Sequence, residues 1–93
     1  MYTVLVDENS HYMDESERYE RGTFARYDEA VAACQRIVDD FLAAQYRPGT
    51  SADDLYRLYV TFGEDPFISP ERPGCRFSAW EYARLRCTLL CSP

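Results

Sequence analysis

Apolar positions along this chain fall into blocks of different period, and each block predicts an element. Tyr2-Thr3-Val4-Leu5-Val6 is rich in β-branched and aromatic residues, which suit a half-buried pleated surface. It reads as a strand, with Tyr2, Val4 and Val6 on one face and Thr3 and Leu5 on the other. Asp7 to Glu17 (DENSHYMDESE) is polar and acidic and reads as a long hairpin loop. Arg18 to Phe24 (RYERGTF) then alternates, with Tyr19 facing away from Arg18 and Glu20, so a second, antiparallel strand is expected. Gly22 inside it marks a bulge or twist.

The period then changes to that of a helix. Over Tyr27–Gln45 the residues Tyr27, Ala30, Val31, Cys34, Ile37, Val38, Phe41 and Leu42 recur at three- and four-residue steps, forming one stripe expected to pack on the sheet. Asp28 and Glu29 occupy the first turn, where the helix dipole favours acids. Arg47-Pro48-Gly49 is a turn, because Pro48 cannot continue the helix. Thr50 or Ser51 caps the next helix, whose apolar face is Leu55, Leu58, Tyr59 and Phe62 with Tyr56 beside it, and Gly63 ends it. Glu64 to Gly74 holds three of the five prolines and reads as an irregular connection, with Phe67-Ile68 as a short strand. Ser78 and Glu81 form a capping box for a last helix from Ala79 to about Cys91. Trp80, Ala83, Cys87, Leu90 and Cys91 make its stripe, with Tyr82, Leu85 and Leu89 nearby. That surface is wider than one packing contact needs, which hints at a partner.

The expected architecture is therefore α+β, in the order β-β-α-α-(β)-α, as one domain over residues 1–93. A small antiparallel sheet, a β-hairpin plus a short third strand, packs against the long helix. The two later helices close the remaining edges. The strings HYMDESERYERGTF, YRPGTSADDLYRLYVTFGEDPFI and FSAWEYARLRC resemble a family of short bacterial proteins of uncharacterised function. The resemblance spans most of the chain and implies a shared fold; it carries no activity, ligand or catalytic residue.

Composition adds two things. Aromatics are 15% of the 93 residues, including eight Tyr and five Phe, so rings must fill much of the core. The net charge is −6, every base is Arg, and residues 1–70 hold fourteen acids against six Arg. Such a surface repels phosphate backbones, so nucleic-acid binding is not expected. No stretch approaches the ~20 apolar residues that span a bilayer. The short apolar start, broken at once by Asp7 and Glu8, is no secretory signal, and a cytoplasmic location with reduced cysteines is expected.

Candidate chemistry is sparse. Cys34, Cys75, Cys87 and Cys91 could in principle hold zinc, but the only close pair is Cys87 and Cys91 on one helix, and free Cys ordinarily packs as a small hydrophobe. The clustered acids Asp7, Glu8, Asp14, Glu15 and Glu17 invite a calcium-loop reading, but the pattern taken from Asp7 matches only at Asp7 and Asn9 and fails at Tyr12 and Arg18. His11, the only histidine, sits in that loop beside Ser10 without an arranged base–nucleophile pair. The four glycines are scattered, so no phosphate loop is present. No catalytic residue, metal site or cofactor is expected.

A binding surface is the reading that remains. Phe62-Gly63-Glu64-Asp65-Pro66-Phe67-Ile68 mixes acids and aromatics around a rigid turn. Either Phe62 and Phe67 plug the core, or the segment joins Tyr56 and Tyr59 in a recognition surface. The candidate binding residues are Tyr56, Tyr59, Phe62, Glu64, Asp65, Phe67, Trp80 and Tyr82. Two functions follow. One is a non-enzymatic protein–protein interaction or regulatory module, with a protein partner or self-association. The other is a small-molecule-binding protein or minor enzyme whose pocket is lined by Tyr56, Tyr59, Trp80 and Tyr82 and gated by acids.

Overall fold

In the computed structural model, which describes residues 1–8, 19–70 and 77–91, the elements run β1 (Tyr2–Glu8), β2 (Tyr19–Phe24), α1 (Tyr27–Gln45), α2 (Ala52–Phe62), β3 (Glu64–Ser69) and α3 (Ala79–Leu90). The architecture is α+β. The three strands form an antiparallel sheet in the order β2-β1-β3, so the first strand is central. Position decides its pattern: Val4 and Val6 are fully buried on one face, while Leu5 on the other is half-buried.

β1 is two residues longer than its apolar run. Asp7 and Glu8, read from sequence as the start of a loop, pair with Asp65 and Glu64 of β3. The rest of the predicted acidic loop, with Ser10, His11, Asp14, Glu15 and Glu17, lies outside the described residues. The β1–β2 register shifts once: Val4 opposes Gly22 while Leu5 opposes Glu20, leaving Arg21 as the extra residue of a bulge beside Gly22. The shift turns Tyr19 onto the same face as Val6.

β3 is the largest departure from expectation. A two-residue strand in a proline-rich connection becomes six residues, because every residue from Glu64 to Ser69 finds a partner on β1. Pro66 is tolerated since β3 is an outer strand of the sheet, with one edge unneeded for the ladder.

α1 has the bounds its periodicity predicts, but its stripe serves two cores. Tyr27, Ala30, Cys34 and Ile37 pack with Val4, Val6 and Ile68 of the sheet. Val38 and Leu42, further along, pack with Leu55, Tyr59, Ala79, Ala83 and Cys87 of the other helices. Phe77 touches both clusters and joins them. The turn after α1 places Gly49 at φ +92°, a conformation open to glycine at no steric cost. Ser51, not Thr50, caps α2 by accepting from the Asp54 amide at 3.1 Å, and Ser78 caps α3 through the Glu81 amide at 3.3 Å.

Among the described residues, no helix is long and apolar enough to cross a membrane. Cys34 belongs to the sheet core and Cys87 to the helical core, so these two thiols do not share a site. Cys75 lies outside the described residues.

Candidate functional site

Several chemistry-bearing side chains gather between β3 and the start of α3. A groove of about 730 Å³ runs there, with Asp65, Pro66, Phe67 and Ile68 as one wall and Phe77, Ser78, Ala79, Trp80 and Glu81 as the other. Consecutive residues of a strand face opposite sides of the sheet. Pro66 and Ile68 are almost fully buried, whereas Asp65 and Phe67 on the other face are half-buried. Tyr27 lies at the end nearest Tyr2, against which its ring packs edge-on at 5.2 Å, and Asp7 lies at the other end.

Asp7 and Asp65 are directly opposed partners in the β1–β3 ladder, so their side chains leave the same face. Burial, and then the neighbouring Asp7 charge, push the Asp65 carboxyl up from 3.8 to about 6. Both effects disfavour the ionised form. Burial, and then the Asp65 charge, push the Cys34 thiol up to about 12, and the side chain packs in the sheet core. Glu81 adds a third acid in the opposite wall, in the first turn of α3, where it complements the helix dipole. The described lining contains no base. Trp80 remains 39% exposed, a large ring open to solvent beside those acids.

The structure thus gathers three of the eight sequence candidates, Asp65, Phe67 and Trp80, into the groove and disperses the rest. Tyr59 is fully buried; its hydroxyl donates to the Glu64 carbonyl at 2.8 Å, tying α2 to β3. Glu64 accepts from the Tyr19 hydroxyl through its carboxylate, across the width of the sheet. Tyr56 stacks near Tyr59 at 6.5 Å and carries the Arg84 guanidinium 5.3 Å above its ring. Tyr82 donates to Asp39 at 2.9 Å, and Arg86 donates to the other oxygen of Asp39 at 3.1 Å, so this trio clamps α1 to α3. Burial first, and then the Asp39 contact, push the Tyr82 hydroxyl up to about 12. Phe62, placed by its spacing on the buried face of α2, is instead 63% exposed. It sits in the last turn, past the reach of the helical core. The proposed enclosure of Tyr56, Tyr59, Trp80 and Tyr82 is therefore not formed: Tyr59 is sealed in the core and Tyr82 is turned to Asp39.

Sequence reasoning missed Asp7, Tyr27, Phe77 and Glu81 as groove residues. Asp7 left a signal: it continues the odd-numbered face of Thr3 and Leu5 by one step of period two. Phe77 and Glu81 flank the candidate Trp80 in the chain, whereas Tyr27, at the start of α1, meets them only in the fold.

No protein-family model, no curated protein and no solved structure matches this chain.

Proposed function

We propose that this protein is a non-enzymatic interaction module that holds a segment of a partner protein in the groove between β3 and α3. The observation that supports this reading is the joint lining of one open groove by exposed Trp80, half-buried Phe67 and the opposed acids Asp7 and Asp65. Exposed aromatic anchors beside charge are the usual makings of a recognition hot spot. Ser78, a hydroxyl in the lining, is committed to capping α3. The groove's open shape suits a chain laid along it better than a small molecule, whose sites bury most of the ligand. The module works in a reducing cytoplasm, where its cysteines stay thiols.

Selection of a displayed peptide library on the full chain tests this. Selected peptides are expected to bind the wild type, to change the fluorescence of Trp80, the only tryptophan, and to lose about tenfold or more in affinity for the Phe67→Ala groove variant. Failure to select any peptide, or selection of peptides indifferent to that variant, would overturn it. The small-molecule reading is favoured only by the groove's volume, which falls within the range of ligand sites. A thermal-shift response to a metabolite, with no peptide selected, would put it first.

A further inference from the structure

We infer that the groove between β3 and α3 anchors its partner through an arginine side chain of that partner, held between Asp65 on one wall and Trp80 and Glu81 on the other. The inference rests on reading the groove as a site for a partner segment, and adds the chemistry of the side chain that the segment presents.

The charge of the lining comes first. Its described residues include three acids from three elements, Asp7 of β1, Asp65 of β3 and Glu81 of α3, and no base. The two bases of α3 are committed elsewhere: Arg84 lies over the Tyr56 ring and Arg86 is paired with Asp39. Among the described residues, the half-buried Asp65 carboxyl has no hydrogen-bond or ion-pair partner, while burial and the Asp7 charge both act against its ionised form. A carboxyl withdrawn from water is ordinarily compensated by a donor or a cation. The fold supplies neither to Asp65, and the groove is the side from which one can come. The net charge of −6 draws cations toward it at longer range.

Trp80 decides which cation fits. Its ring is 39% exposed and, among the described residues, stacks on no other ring. An indole face is the strongest side-chain partner for a cation. A guanidinium is planar and weakly hydrated, so it can lie on an indole while its edge donates to a carboxylate. A lysine ammonium is a compact, strongly hydrated point charge, which suits the carboxylate alone. Asp65 and Trp80 stand on opposite walls, with Glu81 beside Trp80, so a guanidinium inserted between the walls faces both kinds of partner. The charge complementarity fixes the register of the partner segment as well as its sign.

The test uses peptides selected on the full chain from a displayed random library. Each is resynthesised with one arginine at a time changed to citrulline, which keeps the shape of the side chain and removes its charge, or to lysine. One arginine-to-citrulline change is expected to weaken binding about tenfold or more and to remove the peptide's shift of the Trp80 indole NMR resonance. On Asp65→Asn the parent peptide should bind about tenfold more weakly, and the citrulline change should then cost less than about threefold, because its partner is already gone. Glu81→Gln, at an exposed position, repeats the cycle from the other wall, and circular dichroism checks that both variants are folded. If the selected peptides lack arginine, or if the citrulline change costs the same in the wild type and in both variants, the inference is wrong and the partner-segment reading stands. Equal cost is the mark of diffuse attraction between a basic peptide and an acidic protein. A lysine peptide that binds as well as its arginine parent overturns the assignment of a guanidinium. Failure to select any peptide overturns both readings.

Discussion

Gly63 lies so close to Tyr59 that a β-carbon at position 63 would meet the Tyr59 ring at 2.6 Å and the Tyr59 carbonyl oxygen at 2.7 Å. Glycine is required here by contact, since its backbone is extended rather than left-handed. The ring cannot yield, because Tyr59 is fully buried and its hydroxyl is held by Glu64.

Gly63→Ala should therefore destabilise the fold by about 1–3 kcal/mol, the range for overpacking a tight site. Urea unfolding followed by far-ultraviolet circular dichroism measures this. Tyr59→Phe, which removes only the bond to Glu64, should cost about 1 kcal/mol. An alanine variant as stable as the wild type would show that Tyr59 can move.

The Asp65 carboxyl has a direct consequence for stability against pH. Its folded-state value of about 6 lies above the ordinary 3.8, so between those values the folded chain binds more proton than the unfolded chain. Its contribution to stability thus falls as pH rises from about 4 to 6 and stays at its lowest above that. Asp65→Asn should remove that fall and stabilise the protein near pH 7 by about 1–2 kcal/mol, allowing for the screening of a half-buried group. Urea midpoints of both proteins at pH 4.5 and pH 7 should diverge more at the higher pH.

The clamp of Asp39, Tyr82 and Arg86 predicts coupling between α1 and α3. Asp39→Ala leaves a hydroxyl and a guanidinium without their acceptor and should cost about 1–2 kcal/mol. With Tyr82→Phe it should be non-additive in a double-mutant cycle, since the two share one bond. Strict additivity would mean that the bond contributes nothing.

Thiol reactivity should separate the cysteines by burial. Cys34 is pushed up to about 12 by burial and Asp65, and Cys87 to about 11 by burial and the neighbouring Cys91. Both should resist iodoacetamide at pH 8 in the native state, whereas half-buried Cys91 should alkylate. Peptide mapping by mass spectrometry reads each site. Rapid native alkylation of Cys34 would mean that the sheet core opens readily.

The sequence by itself determined those elements whose signal is local. The stripe of α1 from Tyr27 to Leu42, the Ser78 cap, a cap of α2 at Thr50 or Ser51 and the α+β order are all legible because helix period and capping depend on residues three or four apart. Only the tertiary structure decided β3, whose prolines argue against a strand until the ladder with β1 is present to order it. Only the fold, likewise, divided the α1 stripe between two cores, left Phe62 in solvent and buried Tyr59. The groove belongs wholly to that second kind. Asp7 and Asp65 are 58 positions apart in the chain and meet through strand register, and Trp80 lines the same groove from α3, whose start Phe77 packs against both cores. Such meetings depend on packing over long sequence separations, which no local pattern of residues encodes.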